Sequence, residues 1–493
     1  MNQTMIRRLC TGLVVIGLAA ACSSSRQGPP GAAPDLGRAL AGKVTADGMF
    51  VHLRALQDIA DANKGNRAEG TPGYDASVEY VAKALRSKGF EVATPQFDRL
   101  YAVSPGKPSL TIAGSSYSVE QASLLVRTPS GGLTGQPVRP TQPSGCVVND
   151  YPAMLPAGAI AVVDDAHCSV VDKQNNAKAK GAAALVVVSA SNGQGAPPTL
   201  FNPGYYKQLN TPVAIVGSYG GSVLSHATAP VRLVLDAENL NITSRNVLAQ
   251  TKTGSPRDVI MVGAHLDGPR SGPGINDNGS GVAATLETAL QLGPLAPVNN
   301  AVRFVFWGAD EDGLNGVMDY VFGLDDEQLN DIAMYLNFNL LGSPNAGFFT
   351  DDGDQSGPPG QGVAFGDVPA GSAGIERTLS GYLNLAGKRP ADMPLGTRTD
   401  YHPFMVAGVP IGGMSTGASQ LKTPVQARLW GGQTGAGFDP NFQTPRDTVD
   451  NINREALAVM GSGVAFAVGS YAESISGVNG VPPHDKRHRT RVP

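Results

Sequence analysis

The sequence predicts an α/β protein, a mostly parallel sheet flanked by helices, with a β-rich domain inserted into it. Three features carry that prediction. Apolar strand-like runs at 258–264, 302–307 and 333–341, and again from Val409 in VPIGGMSTG, alternate with helical stretches, as strands covered on both faces do. Three polar clusters fall just past predicted strand ends, where such sheets place their functional groups. Between about Pro105 and Leu240 the texture changes to short β-rich runs broken by glycine, proline and serine.

The elements follow in order. Arg7 and Arg8 precede an apolar stretch from Leu9 to Ala21 that ends at Cys22. That is a signal peptide over 1–22, too short for a comfortable span, with a cysteine after small residues where bacterial lipoproteins are lipidated. Residues 23–42 then read as a flexible tether, so the mature chain is expected outside the cytoplasm, held to the membrane by its N-terminal lipid.

From Phe50 the text reads as helix, Gly/Pro loop, helix, strand. Val78, Val81, Ala82 and Leu85 share one helical face, with Gly89 where a C-cap belongs. This opens a domain over 43–104 that resumes at 241–476, the insert occupying 105–240 and a basic tail 477–493. The tail, DKRHRTR from Asp485 to Arg491, reads as a solvated, disordered end. Only 16% of residues are charged and the net charge is −4, so no nucleic-acid footprint exists. Cys146 and Cys168 are the cysteines left after the signal region, and an oxidising compartment favours pairing them.

The three polar clusters are GAHLDGP with His265 and Asp267, GINDNGSG with Asp277, and WGADEDGLNG with Asp310 and Glu311. Histidine and carboxylates converging in this way suit zinc. With LNFNLLGSPN, these motifs stand in the order of the co-catalytic di-zinc aminopeptidases, the family of secreted bacterial and vacuolar aminopeptidases, glutamate carboxypeptidase and the transferrin receptor, which the chain resembles from His52 to about Ala472. The segment 158–189, a strand, a cysteine, a helix and a second strand, resembles the protease-associated domain.

The resemblance implies residue roles. His265 binds the first zinc, Asp267 orients its imidazole, Asp277 bridges two metals and Glu311 binds the second. Asp310 stands where the family has a glutamate general base, and Asn339 where it has a metal-binding aspartate. In GFDPNFQTPRDTVDNIN, Phe442 and Gln443 replace a tyrosine that donates to the oxyanion and a histidine that completes the second site. Among the remaining histidines only His402 falls in a loop near the site, and not at a ligand position. Retracting the base by one methylene can cost about 10²-fold and losing an oxyanion donor about 10²–10³-fold. Two functions follow from the resemblance. One is a zinc exopeptidase acting on peptides with a free N-terminus. The other is a catalytically impaired relative that binds or scaffolds.

Overall fold

The computed structural model of the chain describes residues 35–189, 200–202 and 204–491. The expected signal peptide with Cys22, and the tether up to residue 34, lie outside the described residues. From Leu36 the chain is already folded. A helical turn at Leu36–Ala41, capped by Asp35, buries Leu40 against the main core, so this end of the expected tether packs instead of trailing.

An eight-stranded sheet organises the larger unit. Its order is Val92–Ala93, Val247–Gln250, Asn300–Trp307, Ser255–His265, Ile332–Phe338, Ile411–Ser415, Phe349–Asp351 and Ala391–Met393. The four central strands run parallel, and antiparallel pairs appear where Val247–Gln250 and Phe349–Asp351 join them. Side chains alternate along each strand, yet both faces are covered, which is why the runs read as continuously apolar. Ile260, Val262, Phe304 and Leu336 face one core with the helices Ala46–Ala62, Pro72–Ser87, Gly281–Leu292 and Arg454–Glu473. Val259, Met261, Val305 and Tyr335 face the other, under Val317 and Phe404. The long apolar helix Arg454–Glu473 spends its apolar face on the first core, with Leu457, Met460, Val464 and Val468 fully buried.

The antiparallel ribbon Gln96–Ser104 with Glu238–Arg245 brackets the β-rich segment. Within it a five-stranded sheet has the parallel strands Ile160–Asp164, Ala184–Ser189 and Val213–Gly217 at its centre, beside a separate four-stranded sheet. Val162 and Val186 face one small core, Val163 and Val187 another. The helix Val170–Ala179, capped by Ser169, follows directly on the disulfide Cys146–Cys168.

The basic tail departs from expectation. Arg487 donates to the carbonyls of Arg257 and Asn330 and pairs with Asp258, and Arg489 donates to the carbonyls of Gly408 and Ile332. The carbonyls of Arg257, Asn330, Ile332 and Gly408 lie at or just before the amino ends of the 255–265, 332–338 and 411–415 strands. Two guanidinium forks satisfy them, so the tail docks on the sheet's amino ends instead of remaining in solvent.

Candidate functional site

His265 is the last residue of the central strand Ser255–His265. Its Nδ1 lies 3.1 Å from the backbone carbonyl of Asp267, while the carboxylate of Asp267 stands off at 3.8 Å. That carboxylate accepts instead from the backbone N–H groups of Asp310 and Glu311, at 3.2 and 3.1 Å. Asp267 therefore orients the ring through its main chain and locks the acidic turn through its side chain. The free edge of the imidazole, Nε2, faces Asp277 Oδ1 at 3.5 Å and Asp310 Oδ2 at 3.9 Å.

Asp277 owes its place to the NDNGSG motif. Asn278 donates to the carbonyl of Phe338 and accepts from Gly281 N, tying the loop to the end of the neighbouring strand. A Cβ on Gly281 would sit 2.1 Å from the Phe338 carbonyl oxygen, so only glycine lets the helix Gly281–Leu292 begin this close to the sheet. Asp447 closes the loop from the other side, accepting from the backbone N–H groups of Asn276 and Asp277 at 2.7 and 3.0 Å.

Of the sequence-predicted site residues, His265, Asp267, Asp277, Asp310, Glu311 and Gln443 are brought together. Asp277 Oδ2, Asp310 Oδ1, Glu311 Oε1 and Asn339 Oδ1 are all buried without a hydrogen-bond partner. Gln443 reaches the same cluster, its Nε2 donating to Glu311 Oε2 at 2.9 Å. Phe442, beside it, carries no donor. His402, half-buried, makes no link to the cluster; Asp400, two residues earlier, does, through its charge.

This concentration of acid shows in the proton affinities. Burial lifts Asp310 well above the carboxylate range, opposed by His265 and reinforced by Asp400, Asp267 and Asp277. Burial and then Asp277 push Glu311 up to about 9. Burial disfavours the charged imidazole of His265, but Asp310, Asp267 and Asp277 outweigh it and its pKa rises well above the usual value. The metal-free site therefore holds protons at neutral pH. Asp277 Oδ1 and Asp310 Oδ2 beside His265 Nε2 are a histidine–carboxylate donor set of the kind that binds a divalent cation, which would take the place of those protons.

A pH dependence follows. Raised folded-state carboxylates bind protons that the unfolded chain has already released above about pH 4, and the raised histidine acts in the same direction. The site's contribution to stability is thus present at low pH and lost as pH rises towards the value near 9 of Glu311. In chelator, the melting temperature is expected to be higher at pH 5.5 than at pH 8.5. Saturating zinc should close or reverse the gap, since it needs the ionised ligands. Differential scanning calorimetry at the two pH values checks both.

Four side chains at or beside the site carried no signal strong enough to be singled out from the sequence. Arg67 is fully buried and donates to the carbonyls of Leu266, Pro273 and Gly274. Burial pulls its guanidinium down to about 10, against Asp447, Asp267, Asp277 and Glu311, which hold it charged. Asp400 is also buried, pushed up to about 6. Asn337 and Asp351 line a cavity next to Asn339. The local cue for Arg67 was the loop text NRAEGTPG, where a lone arginine beside Gly and Pro is ordinarily a surface residue.

The sequence pattern of peptidase family M28 matches residues 246–468, and that of the PA domain matches 133–224. A probable lipoprotein aminopeptidase, LpqL, of Mycobacterium tuberculosis is 46% identical over 464 residues, covering 93% of this chain and 91% of its own length. An aminopeptidase of Pseudomonas aeruginosa is 38% identical over 438 residues, covering 85% and 80%. Leucine aminopeptidase 2 of Trichophyton rubrum is 33% identical over 453 residues, covering 91% and 88%. Among solved structures, the aminopeptidase from Aneurinibacillus sp. strain AM-1 superposes with a TM-score of 0.50 at 22% identity, covering 91% of this chain and 98% of that one, a likeness of fold.

Proposed function

The chain belongs to peptidase family M28, and from that premise we propose a lipid-anchored, extracytoplasmic protein that binds the free N-termini of peptides at a single-zinc site and hydrolyses them slowly. One observation carries this reading. Gln443 Nε2 donates to Glu311 Oε2 at 2.9 Å, so an N–H group stands where a second ion would need a lone pair. His265 and Asp277, whose Nε2 and Oδ1 lie 3.5 Å apart, would be donors for one ion, with Asn339 at the position where the family has a metal-binding aspartate.

Zinc, when bound there, supplies a Lewis acid that polarises the scissile carbonyl and acidifies water. The chain's own residues do the rest. Asp310 takes up a proton from the attacking water, with a carboxylate one methylene nearer its backbone than a glutamate would place it. Asn339 accepts from the substrate's α-ammonium as a neutral oxygen, a weaker partner than a carboxylate. Phe442 gives the developing oxyanion no hydrogen bond. The membrane address is supported by the signal ending at Cys22 and by the lipoprotein description of the mycobacterial relative.

A second reading, a fully competent zinc aminopeptidase, is favoured by the retained His265, Asp267, Asp277 and Glu311 and by the unpartnered oxygen of Asp310. Metal analysis by mass spectrometry, together with hydrolysis of leucyl p-nitroanilide, decides between them. One zinc per chain with weak turnover is expected. Two zincs with rapid, chelator-sensitive turnover would overturn the proposal. For the anchor, Cys22→Ser should move the protein from the detergent phase to the aqueous phase in Triton X-114 partition.

A further inference from the structure

Beside Asn339, a cavity of about 300 Å³ opens over the carboxyl end of the sheet. Its floor spans three neighbouring strands. Asn337 pairs in register with Gly413, and the 349–351 strand lies antiparallel on the other side of the 411–415 strand. Gly413 makes the hollow. A Cβ there would come within 2.0 Å of the Asn337 carbonyl oxygen and 2.7 Å of Asp351 Oδ2. The side chains flanking this glycine, Asn337 and Asp351, both line the cavity.

Three of the residues that line the cavity carry buried acceptors without a partner. Asp351 is 8% exposed and its Oδ2 has no partner. Asn337 is 5% exposed; its amide nitrogen donates to Thr399 Oγ1 at 3.0 Å, which leaves Oδ1 as the free atom, again without a partner. Asn339 Oδ1 is unpartnered as well. Buried acceptors are normally satisfied, so three in one cavity point to a ligand that brings donors. Burial, and then the charges of Asp400 and Glu376, push Asp351 up to about 7, a shift that a bound cation would reverse. Arg398 at the cavity's edge is exposed and forms no ion pair with Asp351 among the described residues. Met393, Pro394 and Met414 supply apolar wall for an alkyl stem.

We infer that this cavity is a cation-accepting subsite for a basic side chain, lysine or arginine, at a peptide N-terminus, with Asp351 as its counter-charge and Asn337 as an additional acceptor. The inference rests on the reading that the adjoining site binds peptide N-termini. It goes further by naming the side chain that is accepted. A buried carboxylate left with no partner favours a ligand whose cationic end carries several N–H donors over an apolar one.

The test is calorimetric titration of the full mature chain with lysyl-, arginyl- and norleucyl-alanine amide, norleucine being lysine's stem without its amine. The basic peptides should bind at least about tenfold tighter, and Asp351→Asn should erase that preference. Asn337→Asp, which adds a second charge at nearly constant volume, should widen the preference. Equal or tighter binding of the norleucyl peptide by the unaltered chain overturns the inference even if the Asp351→Asn protein fails to fold. So does an Asp351→Asn protein that weakens all three peptides alike. Titration with n-butylguanidine separates this subsite from the peptide-binding reading. If no peptide binds but butylguanidinium does, and Asp351→Asn abolishes it, the subsite stands and the peptide reading falls. If neither binds, both fall.

Discussion

Gln443→His, Phe442→Tyr, Asn339→Asp and Asp310→Glu, introduced together, are expected to raise kcat/KM for leucyl p-nitroanilide by about 10³-fold or more and to bring bound zinc to two per chain. The size comes from two independent deficits. Advancing the base by one methylene recovers about 10²-fold where placement within 1 Å matters. An oxyanion donor is worth about 10²–10³-fold. The gains need not multiply, because groups acting as one unit are non-additive. The backbone is ready for the change at the key position. Gln443 has a φ of +53°, a conformation in which histidine is among the better tolerated residues. Its side chain already touches Glu311, so an imidazole there enters the cluster without movement of the loop. A quadruple variant with one zinc and unchanged turnover would mean that these positions do not correspond to the family's catalytic set.

The fold was legible because its signals are local and periodic. The 258–264 strand could be read from its own apolar text, and the helix carrying Val78, Val81, Ala82 and Leu85 from its one apolar face. The candidate site residues His265, Asp267, Asp277, Asp310 and Glu311 stand in short motifs, most of them at or just beyond strand ends, and the family resemblance assigns their roles. What escaped was long-range. Arg67 acts across about 200 positions of sequence on the 266–274 carbonyls, and nothing in its own neighbourhood announces that demand. Asp400 was overshadowed by His402, the more conspicuous ligand type, although burial and charge link only the aspartate to Asp310. Asp351 sits in TDDGD, a text that reads as a solvated loop; its register beside Gly413, which depends on sheet pairing, is what buries it. The docked tail is the same case. DKRHRTR has the composition of a solvated end, and only the folded sheet brings the carbonyls of residues 257, 330, 332 and 408 within reach of its arginines.

Arg67→Met is expected to cost about 3–5 kcal/mol of stability, the range for removing one partner from a buried charged network. Arg67 Nη1 and Nη2 each lie 2.6 Å from a carbonyl, of Leu266 and Gly274, and Nε lies 2.9 Å from that of Pro273. Those three carbonyls belong to the loop between His265 and Asp277, so the guanidinium holds the separation between these two side chains. Methionine keeps much of the volume but leaves three buried acceptors unpaired, each costing about 1–3 kcal/mol if no water reaches it. It also removes a positive charge that Asp447, Asp267, Asp277 and Glu311 all feel. Arg67→Lys should rescue little, because one ammonium cannot span a fork of three carbonyls. Urea denaturation followed by tryptophan fluorescence reads the stability, and competition with a chromogenic chelator reads zinc affinity, which should fall with it. A loss below about 1 kcal/mol would show that water satisfies the loop and that the clamp is dispensable. A full loss of stability with zinc affinity unchanged would show that Arg67 supports the loop without setting the ligand geometry, and would confine its role to folding.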